Sequence, residues 1–256
     1  MPFLTAPDGT RLAYHESGDG APLVCLPGGP MLDAAYLGDL GGLPAHRRLI
    51  LADPRGTGES ATPADPGTYR CDRLVGDVEA LRDPHRVSRL LLITPSTRAV
   101  GLDPSSETRL ETARLRAGEP WFPAGFAALQ EIQAGNSTDE NWTAVDPFLF
   151  GRWDDEARAM QEFTDSRRNP EAAAAFGGPG AFDPEATRAA LAGLGVPVLL
   201  LAGQVDLNTP PPAATAYAEL FPRAELVVLP GVGHWPWLDD TAAFVAAVTA
   251  FLDRTA

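Results

Sequence analysis

The feature that most constrains the fold is a set of short, wholly apolar segments that each stop at turn-forming residues. A segment of this kind is typical of a strand buried on both faces of a parallel sheet. Five such segments occur, at residues 23–26, 49–52, 90–93, 198–202 and 226–229. Helical spacing of apolar residues between several of them gives a strand–helix alternation, which indicates an α/β domain with a mostly parallel sheet and flanking helices.

Local patterns place further elements around these strands. Asp8-Gly9 lies between two short segments with strand character, and this dipeptide predicts a hairpin with a tight primed turn. Amphipathic spacing predicts helices at residues 72–82, 213–220 and 241–252. In the first of these helices, the apolar side chains share one face, which we expect to be buried.

Residues 96–195 interrupt the alternation of strands and helices. Helices are predicted there at residues 106–117, 126–134, 155–164 and 184–192. We interpret this region as a helical cap inserted into a core made of residues 1–95 and 196–256. A length of 256 residues fits one large domain with an insertion, at roughly 150 residues per domain.

The charge balance excludes several classes of partner. Thirty-four acidic residues face twenty basic ones, all of them arginine, and the formal net charge is −14. Phosphate backbones and anionic lipid would repel such a chain, so we expect no nucleic acid and no membrane partner. Without a basic, apolar leader or an apolar run of about 20 residues, we expect a cytoplasmic protein. Two cysteines form no disulfide framework, and no metal cluster or nucleotide fingerprint occurs, so no metal or cofactor is expected.

Two chemically active side chains follow consecutive buried strands. Asp206 comes after residues 198–202, and His234 comes after residues 226–229. Both loops open on the same edge of a parallel sheet, where ligand-handling residues lie. A histidine oriented by an acid is the base half of a Ser-His-Asp system. Taken singly, Asp206 could instead cap a turn, and His234 could be an ordinary exposed loop side chain.

Two glycine-rich turns follow the first two apolar segments. Residues 27–30 read Pro-Gly-Gly-Pro, and Gly28 and Gly29 would let backbone N–H groups face a cavity, as in an oxyanion hole. Alone, this segment could be a plain tight turn. Residues 53–60 read Asp-Pro-Arg-Gly-Thr-Gly-Glu-Ser, which is not a phosphate loop because no Gly-Lys-Ser/Thr follows.

Together these segments resemble the proline iminopeptidase-like (serine aminopeptidase) group of the α/β-hydrolase superfamily. Residues 27–30 are similar to its His-Gly-Gly-Pro oxyanion motif, with proline in place of histidine, and residues 53–60 to its Asp-x-Arg-Gly-x-Gly-x-Ser turn. Residues 203–206 and 231–234 are similar to its acid and histidine loops. The resemblance implies a capped α/β-hydrolase core. It also implies cofactor-free acyl transfer on a small peptide-like amide or ester, with His234 as general base, Asp206 as its orienter and a small-molecule or peptide substrate.

One part of the family pattern is missing. The Gly-x-Ser-x-Gly nucleophile elbow occurs nowhere in the sequence. In the family, the helix equivalent to residues 72–82 leads to a central strand, the elbow and a helix, but here Arg82 runs directly into Pro84 and the next strand. A β-α-β unit occupies about 30 residues. We therefore predict that a block of this size, with the nucleophile and the central elbow strand, is deleted at the Arg82–Pro84 junction.

No other side chain replaces that nucleophile well. Ser96 follows the strand at residues 90–93 as an elbow serine would, but Arg98 would crowd the sharp turn, so Ser96 is a weak substitute. Ser60 lies in a turn, where a local hydrogen bond is expected. Cys25 lies inside a strand rather than beyond its end.

Three interpretations remain open: an impaired serine hydrolase, a non-catalytic remnant or binding protein that retains the cap pocket, and a poorly folding product of an internal deletion. Trp121, Trp142 and Trp153 are candidates to line that pocket, and packing between cap and core explains them equally well. Cap carboxylates could bind a cationic amino terminus, but a solvated acidic helix face is the preferred interpretation for Glu119, Glu131, Asp154, Asp155 and Glu156. The sequence predicts neither the exact substrate nor the oligomeric state.

Overall fold

The computed structural model describes residues 2–81 and 87–254. The predicted Arg82–Pro84 junction therefore lies outside the described residues. The strands are β1 (Phe3–Thr5), β2 (Arg11–Ser17), β3 (Pro22–Cys25), β4 (Arg48–Ala52), β5 (Leu90–Ile93), β6 (Val198–Gly203) and β7 (Ala224–Leu229). The α-helices are α1 (Cys71–Leu81), α2 (Ser106–Arg114), α3 (Phe122–Gln133), α4 (Asp139–Val145), α5 (Asp155–Arg167), α6 (Pro170–Phe176), α7 (Pro184–Ala192), α8 (Pro211–Ala218), α9 (Pro236–Asp239) and α10 (Thr241–Asp253).

The chain divides into two compact units, the first made of residues 1–87 and 159–183. This unit contains a four-stranded sheet in the order β1-β2-β4-β3. Strand β2 pairs antiparallel with both β1 and β4, whereas β3 pairs parallel with β4 and places Val24 opposite Ile50. Strand β3 is therefore an edge strand of this sheet.

The second unit consists of residues 88–158 and 184–256. Its sheet has the order β5-β6-β7, and all three strands are parallel, with Val198 opposite both Leu90 and Ala224. The middle strand, β6, is buried along its whole length. A core cluster packs beside it, made of Val100, Val198, Leu200, Tyr217 and Phe221. Helix α10 adds Phe244, Val248 and Phe251 to the buried side chains of this unit, and the Asp240 side chain caps its first turn.

The apolar strands differ in how deeply they are buried. The sequence predicts burial on both faces for all five apolar segments, and β6 alone among them meets that prediction. In the segment that contains β3, Val24 is 38% exposed and Leu26 is 51% exposed. Strand β5 is only half-buried. The prediction is wrong for these two edge strands and for β7, and also for β4, which pairs on both sides but is buried only at alternate residues.

Helix α1 also departs from its predicted packing. It begins and ends close to the predicted bounds, but none of its residues is buried, and Val75 is 56% exposed. Its charged side is well anchored, since Asp77 binds the buried guanidinium of Arg55 at 2.5 and 2.8 Å. The spacing predicts a buried apolar face on α1, but the side chains of this face are partly exposed to solvent.

The helices α2 to α7 lie within residues 96–195, the region predicted as a cap. The sequence pattern predicts four of them and does not predict α4 and α6, which have seven residues each. Their N-caps were available as a signal: Thr138 accepts from the Asn141 amide, and Asn169 accepts from the Ala172 amide. The two units divide this region at residues 158 and 183, and the predicted bounds of core and cap stay a prediction. Across the described ranges, no helix combines the length and the apolarity needed to cross a bilayer.

Candidate active site

The two side chains predicted to be the general base and the acid that orients it are in contact in the second unit. His234 Nδ1 lies 2.9 Å from Asp206 Oδ2. Asp206 is fully buried, and its other oxygen accepts from the Asn208 amide at 2.8 Å. The His234 side chain is 25% exposed. A buried acid therefore orients the imidazole through Nδ1, and this tautomer leaves Nε2 as the proton acceptor.

The two loops that carry this pair run alongside each other. Beyond β6, Val205 N donates to Val232 O at 3.0 Å, and the Gly231 amide donates to the side chain of Gln204 at 2.9 Å. A Cβ atom at Gly203 would come within 2.1 Å of Gly233 O, so this close approach requires glycine. The sequence spacing placed both loops at one sheet edge, and these contacts join the two loops directly.

The electrostatic environment of His234 favours its charged form. Burial alone would lower the pKa of this imidazole, but the charge of Asp206 and the hydrogen bond with it raise the pKa above the usual 6.5. An imidazolium stabilised in this way is what a general base needs after it has accepted a proton.

A strained threonine, which the sequence analysis did not single out, contacts the His234 loop. Thr94 follows β5 directly, is buried, and has a φ of 42°. This left-handed conformation is unusual for a β-branched residue. Its hydroxyl donates to His234 O at 3.0 Å, which fixes the backbone that carries the imidazole. Its place directly after a predicted strand was the available signal.

Of the three possible substitutes for the nucleophile, none contacts the His234 imidazole in the hydrogen bonds of the described residues. Ser96 is exposed, and its hydroxyl accepts from the Arg98 amide at 3.4 Å. The Ser60 hydroxyl donates to Asp53 O within its own turn, which is the predicted local bond, and it also accepts from the distant Ala13 N, each at 2.8 Å. Burial raises the pKa of the Cys25 thiol to about 12, so this thiol stays protonated and a poor nucleophile.

The predicted oxyanion turn belongs to the first unit. Gly29 has a φ of 120°, which favours glycine, and a Cβ atom there would lie 2.8 Å from the Leu32 side chain. The Gly28 N–H donates to the hydroxyl of Tyr36 at 2.7 Å. Burial raises the pKa of Tyr36 to about 12, against the opposing effect of this hydrogen bond. One expected oxyanion donor is thus bonded to a neutral tyrosine, a partner that no sequence signal indicated.

The three tryptophans proposed to line a pocket lie in different surroundings. Trp121 packs edge-on against Phe148, with ring centroids 4.8 Å apart. Trp142 is 52% exposed and donates to the Ser137 hydroxyl. Trp153 packs against Phe150 at 5.4 Å. Their role in substrate binding stays a prediction.

The cap carboxylates are bonded to polar neighbours. Glu119 pairs with Arg116, Asp155 with Arg158, and Glu131 accepts from the Asn136 amide. Asp154 and Glu156 both bind Arg152. These contacts support the interpretation of a paired, solvated acidic surface. No group of three or more histidine, cysteine or carboxylate side chains in the described part of the chain is arranged to hold a metal ion.

Comparison with known proteins gives a consistent set of similarities. The α/β hydrolase fold family matches residues 80–241. A proline iminopeptidase from Heyndrickxia coagulans is 21% identical over 277 residues, covering 94% of this chain and 93% of the relative. A pimeloyl-[acyl-carrier protein] methyl ester esterase from Xanthomonas campestris pv. campestris is 26% identical, covering 92% and 96%.

Among solved structures, the proline iminopeptidase of Mycobacterium smegmatis superimposes with a TM-score of 0.71 at 20% identity and covers 98% of this chain and 97% of its own. At this identity the likeness concerns the fold. The alignment with the H. coagulans enzyme is longer than the 256 residues of this chain, so that relative has residues without a counterpart here.

Proposed function

The chain belongs to the α/β-hydrolase fold family, and on this premise we propose that it is a serine-hydrolase-type protein whose turnover is impaired because it lacks the nucleophile. The resemblance to proline iminopeptidase-type α/β hydrolases that its motifs predict is confirmed by its relatives. Since those relatives are an iminopeptidase and an esterase, the bond we propose for cleavage is a small peptide-like amide or an ester.

The contact between His234 and Asp206 is the observation that carries this proposal. In acyl transfer, His234 Nε2 would take a proton from the attacking group and return it to the leaving group, while Asp206 stabilises the imidazolium. The 2.9 Å contact and the raised pKa of His234 support both roles. The turn at Gly28 and Gly29 would supply backbone N–H groups for the developing oxyanion.

Impaired turnover is supported by the contacts of Ser96 and Thr94, whose hydroxyl groups are bonded to backbone groups rather than to the His234 imidazole. Ser96 is exposed and engaged with a backbone amide, and Thr94 donates its hydroxyl to the His234 carbonyl. In serine hydrolases, removal of one member of the triad costs several orders of magnitude in rate. The extra residues of the H. coagulans relative support a deletion in this chain. The edge positions of β3 and β5 support it too, because the elbow strand is central in the family's sheet.

A non-catalytic binding protein is the second candidate function. The absence of Gly-x-Ser-x-Gly favours it, together with the bonded state of the Gly28 N–H. A protein of this kind would keep the fold and the pocket of a hydrolase without its turnover, and its ligand would resemble the substrate of a related hydrolase.

A serine-directed phosphonate probe separates impaired from intact catalysis. We expect no single-site labelling of a sample that unfolds cooperatively on heating, and we expect the Ser96→Ala variant to give the same result. Stoichiometric labelling of one serine, lost in His234→Ala, would show an intact serine hydrolase and contradict the proposed impairment. A non-cooperative melt would favour the poorly folded deletion product.

Slow hydrolysis of activated substrates tests the proton acceptor itself. With p-nitrophenyl acetate and proline p-nitroanilide as the ester and amide substrates, any rate above the buffer rate should fall to that rate in His234→Ala. His46→Ala is the matched control, because this histidine is exposed and lies in the first unit. A residual rate that both variants leave unchanged would favour the binding protein over the impaired hydrolase.

A further inference from the structure

Both backbone polar groups of His234 are hydrogen-bonded within the second unit. Its N–H donates to Leu149 O at 2.7 Å, and its carbonyl accepts from the Thr94 hydroxyl. The partner on the N–H side belongs to the segment between α4 and α5. The position of the imidazole therefore depends on a stretch of chain about 85 residues earlier in the sequence.

One carboxylate joins that stretch to the His234 loop a second time. Asp239, the last residue of α9, accepts from the amides of both Gly151 and Gly233, each at 2.8 Å, through the same oxygen, Oδ2. Gly233 immediately precedes His234. With the bond from His234 N to Leu149 O, the two backbones are linked on both sides of Phe150.

The close packing around Asp239 explains why glycine occupies both donor positions. A Cβ atom at Gly151 would lie 2.4 Å from Gly231 O, and one at Gly233 would lie 2.5 Å from Leu149 O. The guanidinium of Arg152 reinforces the junction, because it donates to Leu238 O at 2.8 Å and to Asp239 O at 3.1 Å.

A neutral acceptor should serve at this position, because both N–H contacts of the Asp239 carboxylate use one oxygen. Burial raises the pKa of Asp239, while the N–H groups of Gly233 and Gly151 and the charges of Arg152 and Arg116 oppose that rise. The second oxygen, Oδ1, is buried and has no hydrogen-bond partner among the described residues. An asparagine could therefore keep both N–H contacts through its single carbonyl oxygen without a buried charge.

We propose that Asp239 is a positioning residue for His234, which it holds in register with Asp206 by tying Gly233 to Gly151. This role rests on the proposed function, in which His234 is the proton acceptor. Asp239 itself acts through backbone contacts and through no contact with the reacting atoms.

Nuclear magnetic resonance of the His234 imidazole tests the proposal without any need for turnover. In Asp239→Ala, the proton on Nδ1 should exchange with water at least tenfold faster, and the midpoint of the imidazole titration should shift. In Asp239→Asn, the exchange rate of the Nδ1 proton and the midpoint of the titration should stay as in the wild type. Asp240→Ala is the matched control: it removes the neighbouring carboxylate and the cap of α10, but that carboxylate contacts Ala243 rather than the His234 loop.

Two results would overturn the proposal: unchanged His234 signals in a folded Asp239→Ala protein, or equal disturbance by the asparagine and alanine variants. If the alanine variant does not fold, amide exchange in the wild type decides instead. The amides of Gly151, Gly233 and His234 should then exchange equally slowly, and fast exchange at Gly151 or Gly233 would contradict the link. A failed phosphonate or ester experiment would leave these signals unaffected, so the two hypotheses fail separately.

Discussion

At the scale of single residues, the site is defined by what surrounds His234. Its imidazole is bonded to Asp206, its N–H to Leu149 and its carbonyl to Thr94. The sequence pattern predicted the first of these partners, because two loops after neighbouring parallel strands must open at one edge. The other two depend on the path of the chain between distant elements, which local patterns do not encode. Thr94 keeps a strained conformation that costs on the order of 1–3 kcal/mol, and its bond to His234 offsets part of that cost.

Replacement of Asp206 by asparagine should change the pH dependence of His234. In the wild type, the pKa of His234 is raised above 6.5, so its contribution to stability is fully present below pH 6.5 and is lost as pH rises through the folded-state value. In Asp206→Asn the charge is gone, and burial should bring the pKa below 6.5. A titration of the His234 Cε1–H signal measures this shift, with the His15 and His46 signals as internal controls. A midpoint that stays above 6.5 in the variant would assign the raised pKa to another group.

At the scale of elements, apolar strands of similar composition differ in burial, and β4, paired on both sides, is buried only at alternate residues. Strand β6 has a parallel neighbour on each side and is buried throughout, whereas β3 and β5 are edge strands with exposed or half-buried side chains. All of these strands have similar apolar composition. Composition therefore predicts that a segment is a strand, but the burial of the segment depends on neighbours that lie far away in sequence.

A matched pair of leucine substitutions measures this difference. Leu200→Ala, in the fully buried β6, should lower the free energy of unfolding by about 2–5 kcal/mol because it leaves a cavity. Leu26→Ala, just after β3 at a side chain that is 51% exposed, should cost about 1 kcal/mol or less, since little surface leaves water there. Urea unfolding followed by circular dichroism gives both values. Equal losses would mean that Leu26 is buried in solution.

Turn geometry shows a similar limit of sequence reasoning. Asp8-Gly9 correctly predicts the hairpin of β1 and β2, but the expected tight primed turn is wrong. Instead, Gly9 N donates to Ala6 O at 2.9 Å, Gly9 has a φ of 88°, and Ala6 N bonds to Thr10 O. This is a three-residue connection with glycine in the left-handed position. The Asp8 carboxylate accepts from the Thr10 amide within this turn and from the distant Arg55, a contact that the local pattern does not encode.

At the scale of the whole molecule, the described residues form two sheets, one in each compact unit. The first ends in the parallel strand β3 and the second begins with the parallel strand β5, and both lie at sheet edges. The sequence motifs predicted a missing strand, elbow and helix between the residues that form α1 and β5. Val24, Leu26 and Val75, which all precede this junction, are exposed, and the deletion itself stays a prediction.

Insertion of the block that we propose to be deleted should supply a serine that a phosphonate probe labels. A segment of about 30 residues, taken from a proline iminopeptidase relative and containing its strand, Gly-x-Ser-x-Gly elbow and helix, would be placed between Arg82 and Pro84. Because His234 is already hydrogen-bonded to Asp206, the new serine should react with a phosphonate probe. The label should disappear in the same protein with His234→Ala, and also when the inserted serine is replaced by alanine.

The inserted strand should also slow hydrogen exchange at the edge strand β3. Paired with β3, it would remove backbone amides from water, so hydrogen exchange at β3 should slow relative to the present chain, while exchange in the fully paired β6 serves as the unchanged reference. Protection without labelling would mean that the inserted strand is paired but the serine is still unreactive. The remaining defect would then be assigned to the predicted oxyanion turn, where the Gly28 N–H is bonded to Tyr36. Tyr36→Phe, which frees that N–H, would be the next variant to test for labelling. Neither protection nor labelling in a folded product would show that the Arg82–Pro84 junction is not the place of the deletion.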